Sequence, residues 1–132
     1  MGKTYLLDTN IVIYILNGTL QPEKSVHLQA ASESEAIISV ISKIELLGWT
    51  PSNQQEATLL EKFVSGAIVS PLSDEVIDKT IELRRTCKIK LPDAIIAATA
   101  LVNDQILLTR NETDFEKIKD LLVINPFVRN EG

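Results

Sequence analysis

Five short apolar runs, at residues 4–7, 36–40, 67–69, 105–108 and 121–124, alternate with stretches of helical spacing, and that alternation limits the chain's fold most. Runs this brief, rich in β-branched residues and bounded by turn formers, read as buried strands. Between them, residues 9–16 place Ile11, Ile15 and Leu16 on one helical face and stop at Asn17-Gly18. Residues 22–34 carry Val26, Leu28 and Ala30 in a predicted helix with Pro22 in its first turn. Helices are predicted over 41–48, ending near Gly48, and over 52–64, after Pro51. Residues 74–87 space Val76, Thr80, Leu83 and Cys87 along one helix face. Leu91-Pro92-Asp93 opens a helix whose Ile95, Ile96, Ala97, Ala98 and Ala100 call for tight burial, and a short helix is predicted near 113–118. Strands alternating with helices predict an α/β domain with a mainly parallel sheet covered on both faces. In such sheets ligands bind beyond the carboxyl ends of the strands, where the strand order reverses.

The 132 residues suit one domain, and no repeat, low-complexity tract or long linker divides them. With 45% hydrophobic and 23% charged residues, neither disorder nor a membrane class is favoured. The apolar runs are too short to span a bilayer. Met1 to Tyr5 enter the first run directly, without the regions of a secretory leader, so none is expected. One cysteine, Cys87, leaves no intrachain disulfide and makes a reducing cytoplasm the expected location. Cys87 itself is expected to be a small buried apolar residue. The net charge of −5 is unfavourable for a passive nucleic-acid binder. Two divalent ions held by clustered carboxylates would offset four of those five charges, so acidity excludes simple binding more than metal-dependent catalysis.

Four acids stand out: Asp8, Glu45, Asp93 and Asp114. Each has an ordinary alternative. Asp8 or Thr9 is placed to cap the helix that follows. Glu45 lies three residues after Ser42, the spacing of a capping box. Asp93 follows Pro92 at a helix start, where a carboxylate complements the helix dipole, and Asp114 lies three after Asn111 in the same manner. Ser32/Glu35 and Ser52/Gln55 share such spacing without chemistry. Jointly the four say more. Asp8 and Asp114 both follow apolar strands at their carboxyl ends, and Asp93 opens an almost wholly apolar helix. Glu45 sits inside Val40-Ile41-Ser42-Lys43-Ile44-Glu45-Leu46-Leu47, a stretch that reads as buried. Carboxylates in such settings need neutralising. One histidine and one cysteine cannot build a nitrogen/sulfur site, so hard oxygen ligands point to Mg²⁺ or Mn²⁺ rather than Zn²⁺.

Four segments carry a family resemblance: Leu6-Leu7-Asp8-Thr9-Asn10, Ser42-Lys43-Ile44-Glu45-Leu46, Leu91 to Ala100, and Leu108-Thr109-Arg110-Asn111-Glu112-Thr113-Asp114-Phe115. In this order they resemble the PIN-domain nucleases, specifically the VapC-type toxins of toxin–antitoxin pairs. The resemblance implies a three-layer α/β/α fold with a mainly parallel central sheet of four or five strands. It further implies endoribonuclease activity on single-stranded RNA, dependence on Mg²⁺ or Mn²⁺, an antitoxin partner and a homodimer. By motif position Asp8, Glu45, Asp93 and Asp114 would be the catalytic, metal-site acids. Thr9, Asn10, Thr109 and Asn111 match supporting polar positions.

Asp8 and Asp93 are the first choice as metal ligands, with Glu45 binding metal or orienting water and Asp114 completing a second ion's shell. For RNA contacts the sequence offers Arg84 and Arg85, in a basic run with Lys88 and Lys90, and Arg110 beside the last acid; a solvated helix face is the alternative. His27 reads as a surface residue and Trp49 as packing at a helix end. The rivals are another metal-dependent phosphodiesterase, a flap nuclease for which this chain lacks clamping elements, and a non-catalytic RNA-binding module.

Overall fold

Alternate residues of each strand serve opposite layers, and this organises the fold. The computed structural model describes residues 3–33 and 35–127. Its elements are β1 (Tyr5–Leu7), α1 (Thr9–Leu16), α2 (Val26–Ser32), β2 (Ile37–Ser39), α3 (Val40–Gly48), α4 (Gln54–Gly66), β3 (Ile68–Ser70), α5 (Asp74–Thr86), α6 (Leu91–Val102), β4 (Ile106–Leu108) and β5 (Val123–Ile124), with 3-10 turns at Pro22–Lys24 and Glu112–Asp114. β1 pairs in parallel with β4, placing Leu6 opposite Leu107, and β4 pairs in parallel with β5. β2 pairs in parallel with β3, and β1 lies beside β2, so the strands follow the order β3-β2-β1-β4-β5. Ladder hydrogen bonds join them as a group of three and a group of two, rather than as one continuous sheet.

Leu6 and Leu107 point into a core layer with Val76 and Leu83 of α5, Ile96 of α6 and Phe115. Their neighbours Leu7 and Leu108 point the other way, against Ile11 and Val12 of α1, Leu28, Leu46 and Leu60. The sheet is thus sandwiched between α5 and α6 on one face and α1 to α4 on the other, the expected three layers. Removing each such leucine or isoleucine from water contributes about 1.5–3 kcal/mol. α6 is buried from Ala94 to Ala100 without interruption, which is why its sequence lacks a polar face.

Local differences from the sequence expectation have local causes. The helix expected over 22–34 breaks at Ser25, whose backbone is extended and whose hydroxyl accepts the Leu28 N–H, starting a new helix. Val40 belongs to α3 rather than to the second strand, because Ser39 Oγ accepts the Ser42 N–H at 3.1 Å and caps the helix there. The helix expected over 52–64 is shifted to Gln54–Gly66, capped by Asn53. Near 113–118 only one 3-10 turn forms, and β5 has two residues. Among the described residues no helix is long and apolar enough to cross a membrane.

Candidate active site

Parallel strands deliver their carboxyl ends to one edge, and the four acids gather there from separate elements. Asp8 follows β1 directly. Its N–H donates to Leu108 O at 2.9 Å, extending the β1–β4 ladder by one residue, after which the chain turns into α1 with Asp8 as N-cap. The side chain is 5% exposed. Oδ1 accepts the Thr9 N–H at 2.8 Å, and Oδ2 accepts the Thr109 hydroxyl at 2.7 Å and the Asn10 amide at 3.4 Å. Thr109 is itself buried, and its oxygen accepts the Asn111 N–H at 3.0 Å, which leaves the hydroxyl proton directed at Asp8. Asn111 therefore acts through its backbone.

Burial dominates the electrostatics of Asp8 and raises its pKa from 3.8 to about 6. The hydrogen bonds from Thr109 and Thr9 oppose that rise, while the charges of Asp93 and Glu45 add to it. Asp93, half-buried in the first turn of α6, is raised chiefly by burial, then by Asp114 and Glu45, with Lys90 pulling it down. Asp93 is thus coupled to all three of the other acids.

Glu45 is exposed, as are its neighbours Ile44 and Leu47 at 62% and 48%, so the buried stretch expected from sequence is not buried here. Only one face of α3, through Ser42 and Leu46, enters the core. Nor does Glu45 complete a capping box with Ser42, because Ser39 is the cap. Instead Glu45 Oε1 accepts the Thr9 hydroxyl at 2.5 Å, and Thr9 Oγ1 lies 2.9 Å from buried Ser42 Oγ. Asp114 ends its 3-10 turn, with its N–H donating to Asn111 O at 3.0 Å and its side chain exposed.

Among the described residues no three carboxylate, histidine or cysteine side chains are grouped to hold a metal ion by themselves. The donor chemistry nonetheless fits a hard, water-carrying cation. Mg²⁺ takes one or two carboxylates and keeps several waters rather than requiring an all-protein cage. A carboxylate pushed toward neutrality by burial, and further by like charges, is a place where such a cation lowers the free energy.

The three arginines singled out from sequence lie in different settings. Arg110 is exposed, with its guanidinium 4.3 Å from the Phe127 ring centre and 5.0 Å from that of Tyr14. Its N–H donates to Asn10 Oδ1 at 3.4 Å, and Asn10 in turn donates to Asp8. Arg84 Nη1 donates to Ile89 O at 2.7 Å and braces the α5–α6 connection. Arg85 lines a separate recess on α5 with Asp78 and Glu82. The aromatic seat of Arg110 had no sequence signal, because Tyr14 and Phe127 are far apart in the chain. Trp49 is 41% exposed rather than packed, Cys87 is half-buried, and His27 Nδ1 lies 3.1 Å from the Tyr5 hydroxyl.

Comparison with known proteins gives a consistent result. The family model for the PIN domain matches residues 5–121. A chain of a toxin–antitoxin complex from Klebsiella pneumoniae is 30% identical, with 93% of this chain and 98% of that chain covered and a TM-score of 0.72. A chain of VapBC2 from Rickettsia felis, solved bound to a DNA fragment from its promoter, is 25% identical over 92% of this chain and 98% of that chain, with a TM-score of 0.76. A chain of VapBC-1 from nontypeable Haemophilus influenzae, 23% identical over 95% and 99% of the two chains, shares the fold with a TM-score of 0.74. No curated protein matches by sequence.

Proposed function

Because the chain belongs to the PIN-domain family, whose members are nucleases, we propose that it is a divalent-metal-dependent endoribonuclease acting on single-stranded RNA, the toxin of a toxin–antitoxin pair. The observation that carries this reading is Asp8, a buried carboxylate fixed by Thr9, Asn10 and Thr109 and electrostatically coupled to Asp93 and Glu45. A passive RNA-binding surface has no use for an anion buried at such a cost.

In this reading Asp8 and Asp93 hold Mg²⁺ or Mn²⁺, with Asp114 and Glu45 beside them. A bound divalent ion supplies charge neutralisation at phosphorus and a lowered pKa for an attacking water. Thr109, held by Asn111, keeps Asp8 Oδ2 in one position, and Thr9 occupies Oε1 of Glu45. Oε2 of Glu45 is then the oxygen that orients the attacking water and takes its proton. Arg110, stacked on Phe127 and tied through Asn10 to Asp8, is the favoured phosphate contact of the three arginines.

The antitoxin is proposed from the toxin–antitoxin complexes the chain resembles. Exposed Ile44, Leu47 and Trp49 on and after α3, with Leu59 on α4, offer an apolar surface suited to a protein partner. A second copy of the chain is the other proposed partner, with Ile77 and Ile81 of α5 exposed for it.

The test is incubation of purified protein with a pool of single-stranded transcripts. Fragments are expected with Mg²⁺ and none with a chelator, and Asp8→Asn is expected to abolish cutting while circular dichroism stays unchanged. Full activity in that variant, or undiminished cutting in chelator, overturns the reading.

A further inference from the structure

Asp93 and Asp114 form the near end of a cavity of about 230 Å³ whose remaining walls the proposed chemistry leaves unused. One wall is the α5–α6 connection and the other is the segment from Thr113 to Ile118. Cys87, Ile89 and Ile118 supply apolar surface, and Lys88, Lys90 and Lys117 bring three cationic side chains to the lining alongside the two carboxylates. Among the described residues the salt bridges are Lys3–Asp104 and Lys79–Glu82, so none of these three lysines is in a contact ion pair, although Lys90 acts at longer range on Asp93.

The walls are preformed by hydrogen bonds. Arg84 holds Ile89 O at 2.7 Å, and the Cys87 N–H donates to Leu83 O at 2.8 Å. Opposite, the Phe115 N–H donates to Glu112 O and the Ile118 N–H to Phe115 O. In a chain of net charge −5, a cavity whose lining holds three lysines against two carboxylates favours an anion with an apolar part, the more so once a cation offsets the carboxylates. The volume falls below the roughly 300–1,000 Å³ of pockets that enclose a drug-sized molecule, so it seats one nucleotide only in part and no longer stretch of strand.

We propose that this cavity seats the nucleotide adjoining the scissile phosphodiester, with its phosphate among Lys88, Lys90 and Lys117 and its base against Ile89 and Ile118. The proposal rests on the ribonuclease reading for its place in catalysis, but the binding it requires does not. A strand that continues past the carboxylates into the cavity is held at a second point, and one that ends at them is not.

Two measurements test it, on wild type and on Lys88→Gln/Lys117→Gln, with Lys24→Gln, an exposed lysine on the Pro22–Lys24 turn, as the control. In the first, uridine monophosphate is titrated into metal-free protein and backbone amide shifts are followed by NMR. Shifts are expected at residues 88–90 and 113–118, with affinity weakened about tenfold or more in the double variant, the scale of losing charge-assisted hydrogen bonds. Absence of shifts there, or equal affinity in the double variant, overturns the proposal. In the second, cleavage of short single-stranded RNA is expected to show a raised KM with kcat little changed. The salt dependence of binding should flatten by about 0.7 in log–log slope, the single-strand value for one lost phosphate contact. Unchanged KM and slope in an active double variant also overturn it. If wild type cuts no RNA at all, the ribonuclease reading fails, and the nucleotide titration still decides the cavity.

Discussion

Asp8 and Asp114 both lie beyond the carboxyl ends of paired parallel strands, Asp8 at once after β1 and Asp114 by a short turn after β4, yet their surroundings are opposite. Asp8 is 5% exposed and receives three hydrogen bonds, while Asp114 is exposed at the end of a 3-10 turn. A carboxylate held from three sides and desolvated is already where a cation needs it, at a cost to the fold. One at an open rim costs the fold little and adjusts to whatever ion or strand arrives. The contrast assigns geometry to the Asp8 corner and adaptability to the Asp114 rim.

The strongest way to break that comparison is Asp8→Asn. Cleavage is expected to fall by roughly 10²–10³-fold or more, the scale of losing a preorganised charged group. Stability should move the other way. Folding raises the Asp8 pKa from 3.8 to about 6, so below about pH 4 the group is protonated in both states and imposes no penalty. The penalty grows through that window and is full above about pH 6, at about 3 kcal/mol. Metal-free Asp8→Asn should therefore melt higher than wild type at pH 7.5 and lose that advantage by pH 4. Thermal melts across pH decide it, and a variant less stable at every pH would show that burial of this charge is not the governing cost.

Thr109→Val sharpens the same corner. It removes the hydroxyl that lowers the Asp8 pKa, so the acidic limb of the pH–rate profile should shift to higher pH, with activity near neutrality down about tenfold to a hundredfold. The fold should lose about 1–3 kcal/mol from the unpaired buried groups. An unmoved acidic limb would detach Thr109 from Asp8.

Asp114→Asn probes the rim. Cleavage should drop about tenfold, the size of one weakened outer contact, with recovery at higher Mg²⁺. Metal-free stability should stay within about 0.5 kcal/mol of wild type. A Tm change as large as that of Asp8→Asn would erase the contrast. The smallest effect is expected for Phe127→Leu, which removes one of the two rings under Arg110. A loss of about 0.5–1 kcal/mol in RNA binding, a factor of two to five in KM, matches a partly exposed cation–π contact. Unchanged KM would mean that Arg110 does not depend on that ring.

Much of the architecture was legible because it depends on neighbours in the chain. The spacing of Ile11, Ile15 and Leu16 and the stop at Asn17-Gly18 place α1 at Thr9–Leu16 as expected. The unbroken apolar run of α6 announced its burial. The break at Ser25 was missed because a continuous helix and a capped restart share the same apolar spacing. The burial of Glu45 was misjudged because Ile44 and Leu47 are apolar, yet both face solvent. Apolar character sets a tendency, and the packing partner decides the exposure. Arg110 was visible as a charge beside an acid, but its aromatic seat was not.

The sequence by itself determined the alternation of strands and helices, the two faces of each strand and the location of three of the four acids at element ends, with Glu45 inside a helix. Those follow from periodicity and turn chemistry, which act over a few residues. Only the tertiary structure decided that Asp8 is buried and Glu45 open. It also decided that Asp93 is coupled to the other three acids and that lysines from two segments face one cavity. Thr109 meets Asp8 across 101 residues of chain, and desolvation and charge coupling depend on such long-range neighbours. The acids were readable one by one, and their inequality was a product of the fold.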